Sequence, residues 1–171
     1  MISVLQPTPL DGMTNIALIA PESIGDCLLF TDGTAKCIGS DDYGQFGSDQ
    51  ATTVSVKTWV DVTGLTGASW LGVSASAVYI HNTACALLAT GTVECWGYDN
   101  HGNAGNGVTS LSVPLPTPIL NLQNVSSLSV GGTSTRALLS DHTVKCWGSN
   151  LSANLGDKLT QDVLSPKTMP W

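Results

Sequence analysis

Three copies of one segment, each a little over twenty residues long, are what most constrains how this chain can fold. The segment reads CLLFTDGTAKCIGSDDYGQFGSD from Cys27, CALLATGTVECWGYDNHGNAGNG from Cys85 and RALLSDHTVKCWGSNLSANLGD from Arg136. The copies begin 58 and 51 residues apart, the spacing of propeller blades and solenoid units. A unit of that size cannot bury its apolar face alone, so successive units must stack.

The likeness extends beyond the shared segment. TPLDGMTNIALIAPESIGDC from Thr8 matches TPILNLQNVSSLSVGGTSTR from Thr117 without a gap. The stretch from Val62 matches only with about six residues inserted between Ser74 and Ala84. SVKT at Ser55 resembles SPKT at Ser165, so the chain starts and stops near one phase of the repeat. Three units follow, roughly 1–58, 59–115 and 116–171. Each reads as a Pro/Thr-rich lead-in, a strand, a Gly/Ser turn, a strand, a tight hairpin, a strand and a Gly/Asn-rich exit loop. With 18 glycines and only 11% charged residues, the chain is expected to be all-β: three four-stranded antiparallel blades.

The hairpin can be placed in register. Thr31-Asp32-Gly33 fits a three-residue loop, a type I turn closed by glycine in the left-handed region. That loop sets Phe30 opposite Thr34 and therefore Cys27 opposite Cys37. Ala89-Thr90-Gly91 does the same for Cys85 and Cys95. The third unit departs twice: His142 stands where glycine closes the turn, a residue tolerated at positive φ, and Arg136 replaces the first cysteine.

Directly opposed strand residues have Cβ atoms about 4.5–5.5 Å apart, so two cross-strand disulfides are expected, Cys27–Cys37 and Cys85–Cys95. Such bonds point to an oxidising compartment, extracellular or cell-surface; the alternative is buried thiols in a reducing one. Zinc fits poorly, because nine residues between ligands is not a knuckle spacing. Cys146 is left over, either a buried apolar residue or a free or intermolecular thiol. His142 lies four residues away, but no third group orients it as a base.

Trp96 and Trp147 follow the second cysteine where the first unit has Ile38, so this is a packing site between blades. Trp59, Trp70 and Trp171 do not recur, and Trp59 and Trp70 are the candidates for ligand contact. His81, His101 and His142 are dispersed in loops. Asp41, Asp42 and Asp49 share an exit loop and hint at calcium, but the equivalent loops carry Asp99-Asn100 and Asn150, which favours a solvated turn. Asn124 and Asn150 begin glycosylation sequons. No metal-protease helix, nucleophile elbow, phosphate loop or dinucleotide glycine pattern is present. No catalytic residue, cofactor or metal is expected.

Composition excludes further partners. The net charge is −7 and the six Lys and Arg do not cluster, which argues against nucleic acid and anionic membranes. No apolar run reaches the roughly 18 residues of a spanning helix. The first residues, MISVLQPTPL, do not read as a signal peptide. That suggests a mature or excised segment, or export by another route.

With the units aligned, the pattern CALL, GTV, CWG and the following Gly/Asn loop resembles the repeat of the regulator of chromosome condensation family. The form is the disulfide-bearing one of secreted bacterial proteins. The resemblance covers nearly the whole chain and rests most on Cys95-Trp96-Gly97 and Cys146-Trp147-Gly148. It implies β-propeller blades of about fifty residues, usually seven to a ring. It does not imply the founder's chromatin and nucleotide-exchange roles, which an acidic chain without a basic tail argues against.

The expected function is a non-enzymatic extracellular module for protein binding, adhesion or structural self-assembly. A lectin-like propeller is the alternative, and a fragment of a longer seven-bladed scaffold the second. Propellers close with about four to eight blades, and three leave two apolar faces. Expected partners are therefore other copies joined head to tail as ring or filament, the missing blades of a longer chain, or another extracellular protein or glycan.

Overall fold

A computed structural model describes residues 12–21, 25–49, 55–74 and 82–169, all strands and turns. Among the described residues, twelve strands form three four-stranded antiparallel sheets. The first contains β1 (Ile16–Pro21), β2 (Gly25–Phe30), β3 (Ala35–Gly39) and β4 (Val56–Asp61) in sequence order. The second contains β5 (Ala68–Val73), β6 (Thr83–Leu88), β7 (Val93–Asp99) and β8 (Ser110–Pro118). The third contains β9 (Val125–Val130), β10 (Ser134–Leu139), β11 (Val144–Gly148) and β12 (Val163–Thr168). The repeat joints at 58/59 and 115/116 fall inside β4 and β8, a few residues before each sheet ends.

The hairpin register is the one its turn chemistry dictates. Gly33, Gly91 and His142 all have positive φ, at 80°, 78° and 68°. In each turn the closing residue donates its amide three residues back, to the carbonyls of Phe30, Leu88 and Leu139, at 2.9–3.0 Å. Asp32 and Asp141 accept the amides of Thr34 and Thr143, both at 2.9 Å. Cys27 therefore pairs with Cys37, Cys85 with Cys95, and Arg136 with Cys146.

Consecutive blades are joined by backbone at the hairpin rim. Ala68 donates to the Gly33 carbonyl (3.1 Å) and Val125 to the Gly91 carbonyl (3.0 Å). At Gly33 the chains run so close that a Cβ would lie 2.7 Å from the Gly67 backbone, which glycine alone accommodates.

Side chains alternate along each strand between a leading face, toward the blade before, and a trailing face, toward the blade after. The core consists of two such joints. In the first, Cys27, Leu29, Cys37 and Phe46 pack against Leu71, Ala84, Ala86 and Trp96. In the second, Cys85, Leu87, Cys95 and Ala104 pack against Leu128, Ala137 and Trp147. Both indoles are fully buried, as a shared packing site requires. The innermost strands β1, β5 and β9 line an open axial groove of about 310 Å³.

Candidate functional site

The exit loops do more than connect strands. Each carries one buried polar side chain at an equivalent position, Asp41, Asp99 or Asn150, all fully buried. Each accepts the backbone amide five residues on: Phe46 to Asp41 (2.8 Å), Ala104 to Asp99 (2.9 Å) and Leu155 to Asn150 (3.0 Å). That bond folds the loop back so its next turn reaches the following blade. The Nε1–H of Trp96 donates to the Gln45 carbonyl (2.9 Å), and that of Trp147 to the Asn103 carbonyl (3.0 Å). The repeated Gly/Asn-rich loop is thus the socket for the next blade's tryptophan.

The solvated-turn reading of the Asp41 loop is corrected here. Asp41 lies in the interior, where Ser48 Oγ also donates to it (3.1 Å); Asp42 takes the Ser40 hydroxyl instead (2.6 Å), and Asp49 is exposed. Among the described residues no three His, Cys, Asp or Glu side chains gather as metal ligands. Asn150 is sealed in by bonds from its amide nitrogen to Asp157 and the Leu159 carbonyl, which removes it as a glycosylation acceptor in the folded chain. Asn124 is exposed.

Desolvation raises the Asp41 carboxyl from 3.8 to about 6, against the opposing pull of the Phe46 amide and the Ser48 hydroxyl. Burial raises Asp99 in the same way. In the third loop the carboxylate sits at Asp157, held low by the Leu159 amide and Asn150. A raised folded-state pKa favours the protonated loop, so stability from Asp41 is complete below about pH 4 and lost as pH rises through about 6. Asp41→Asn copies the third loop and removes that loss. We expect it to raise the unfolding free energy at pH 7 by on the order of 2 kcal/mol, after allowance for solvent screening, and to change little at pH 4. Urea denaturation at the two pH values measures this, and equal effects at both would refute it.

The cysteines sit inside the joints. The sulfurs of Cys27 and Cys37 are 2.04 Å apart and those of Cys85 and Cys95 2.10 Å, bonding distance in both cases, with all four residues at 0% exposure. Cys146 is unpaired and buried. Burial pushes its thiol up, against the pull of Arg136, so it is a weak nucleophile in the folded chain and out of reach of another chain's thiol. Alkylation of protein prepared under oxidising conditions should label one thiol per chain in denaturant and almost none in native buffer. Five labels in denaturant would show that the bridges do not form.

The two candidate tryptophans belong to different places. Trp70 lines the axial groove and packs against the joint of the second and third blades. Trp59 lines an apolar hollow of about 410 Å³ with Ile19, Asp26, Leu28 and Ile38. Neither recurs, and nothing brings them together. Trp171 and His81 lie outside the described residues. His101 bridges blades through Nδ1 and Asp162 (2.7 Å), and His142 closes its hairpin.

The hollow lies on the leading face of the first blade, over which neither of the other two described blades stands. Strand register matches Ile19, Leu71 and Leu128; Leu28, Ala86 and Ala137; and Ile38, Trp96 and Trp147. Leu71 and Leu128 are 1% and 6% exposed, whereas Ile19 is 62% exposed. The sequence pattern contained this signal, since Ile19 recurs as a joint residue, but only the stacking order shows that neither of the other described blades packs on it.

Across 94% of the chain, three stacked sheets with this order superpose on Prp20p from Saccharomyces cerevisiae with a TM-score of 0.80. The fold is that of the regulator of chromosome condensation propeller repeat. Identity to Prp20p is 18%, and the match covers 39% of that chain. Human WBSCR16 superposes with a TM-score of 0.75 at 20% identity, over 92% of this chain and 40% of its own. In sequence, the regulator of chromosome condensation of Xenopus laevis is 31% identical over 101 residues, which is 59% of this chain and 23% of that protein. No family model matches. The chain therefore spans well under half of each of these relatives, and its described residues form three blades of that fold.

Proposed function

We propose that this chain is a non-enzymatic, extracellular protein-binding module whose docking surface is the leading face of its first blade. The observation that carries the reading is Ile19, which is 62% exposed beside half-buried Ile38 and Trp59, whereas its equivalents Leu71 and Leu128 are buried against the blade before. Exposed apolar surface at such a hollow marks an association site. The solved relative Prp20p is described with binding properties to Gsp1p and histones, and in a complex with Kap60; for this chain, protein partners are the same class of reading. The units 1–58, 59–115 and 116–171 remain the proposed blades. Two half-cystine pairs within them support an oxidising, extracellular or cell-surface setting.

A photo-crosslinking residue at position 19 or 59, compared with one at exposed Thr90, tests the surface. Protein adducts confined to positions 19 and 59 support it, and no adduct from either position overturns it. Carbohydrate binding is the second reading, because Trp59 shares its hollow with the carboxylate of Asp26. A glycan array decides it: competable binding lost in Trp59→Ala would establish a sugar ligand.

A further inference from the structure

We propose that the occupant of the open leading face is a second copy of this chain, seated through the trailing face and exit loop of its third blade. The inference rests on the reading of that face as a protein-docking surface and names its partner. Both internal joints follow one rule, in which the exit loop of one blade offers a backbone carbonyl to the indole of the next. The third exit loop has the same build: Asn154 matches Gln45 and Asn103, and Leu155 matches Phe46 and Ala104. Gln45 and Asn103 are 0% and 3% exposed, while Asn154 is exposed, an exit-loop socket that none of the described blades covers.

The two ends depart from the internal joints, and their departures complement each other. At the leading end, Ile38 replaces tryptophan and has no N–H to offer a carbonyl. At the trailing end, Arg136 replaces the cysteine, and its Nη2 already donates to the Asn154 carbonyl (3.1 Å). The acceptor that a tryptophan would satisfy is thus satisfied in advance, so the branched apolar Ile38 can cover it without leaving a buried carbonyl unpaired.

Charge follows the same logic. Asp26 is the cross-strand neighbour of Ile38, where the other blades set Ala84 beside Trp96 and Thr135 beside Trp147. Repeating the internal joint between two copies brings Ile38 to the Asn154 carbonyl. It therefore brings the Asp26 carboxylate beside the Arg136 guanidinium that occupies that carbonyl. Ser127 and Ser129, in the places of Leu18 and Ala20, make the trailing face more polar than an internal one. That fits a joint between separate chains, held by a charged pair as well as by apolar contact. At the hairpin rim the same geometry sets the Ile16 amide against the His142 carbonyl, as Ala68 meets Gly33. The contact is heterologous, so copies add with one polarity, closing as six blades from two chains or growing further.

Charge exchange tests the joint by sedimentation velocity from micromolar to submillimolar concentration. Wild type should sediment above the 17.7 kDa monomer as concentration rises, more weakly in high salt. Asp26→Arg and Arg136→Asp should each weaken association at least about tenfold, because each places like charges together. An equimolar mixture of the two single variants should recover it, since every joint between unlike variants again pairs opposite charges, and a merely misfolded variant could not be rescued this way. Wild type that stays monomeric, single variants that associate like wild type, or a mixture that stays monomeric would each overturn the joint. If wild type is monomeric while position 19 still crosslinks to another protein, only the copy-to-copy joint fails; if nothing crosslinks, the docking surface fails with it.

Discussion

Trp147→Ala should lower the unfolding free energy by about 3–5 kcal/mol. The side chain is fully buried at the joint of the second and third blades, and the bonded Asn103 carbonyl is stranded when the indole is removed. For a domain of this size the melting temperature should fall by roughly 10 °C or more. Trp147→Phe separates the two contributions: it keeps most of the apolar contact but removes the N–H, and should cost about 1–3 kcal/mol. Urea denaturation followed by far-ultraviolet circular dichroism reads both. Gly105 lies against the same indole, where a Cβ would stand 2.8 Å from its nitrogen, so this neighbour has no side chain with which to fill the space. A loss below about 1 kcal/mol for the alanine variant would show that the joint does not hold the third blade.

Arg136→Cys should form a third cross-strand disulfide with Cys146. The two positions are directly paired in the register that holds Cys27 to Cys37 and Cys85 to Cys95. Closing a loop of this length stabilises by about 2–3 kcal/mol, from which the lost bond between Arg136 and Asn154 subtracts about 1 kcal/mol. At low protein concentration the oxidised variant should melt higher than wild type, and reduction should abolish the gain. Intact mass after alkylation in denaturant should show no free thiol in place of one. A free Cys146 in the oxidised variant would mean that the third hairpin differs from the other two in solution.

Much of the architecture was legible because it depends on local chemistry. A turn that needs a residue at positive φ, and two cysteines spaced symmetrically about it, permit one register. His142 could be placed in that turn despite the missing glycine, because histidine is among the residues tolerated at positive φ, and it stands there at 68°. The recurrence of Trp96 and Trp147 against Ile38 marked an inter-blade packing site. The family resemblance rested on the same residues, and the fold agrees with it.

The exit loops were less legible. Asp41 reads as a solvated acid, since nothing local distinguishes an aspartate that faces water from one that accepts an amide five residues on. Asn150 reads as a sequon for the same reason. Trp59 and Trp70 both read as unmatched aromatics, yet one lies in an open hollow and the other between blades.

By itself the sequence determined what short-range sterics and hydrogen bonding determine: three units, their hairpins, the pairing of the cysteines and the all-β class. The tertiary structure alone decided which faces are covered. Exposure at Ile19, burial at Leu71 and Leu128, and the meeting of Arg136 with the Asn154 carbonyl depend on which blade stands next to which. Burial is a property of neighbours distant along the chain, and a repeat writes nearly the same residues whether a neighbour is present or not.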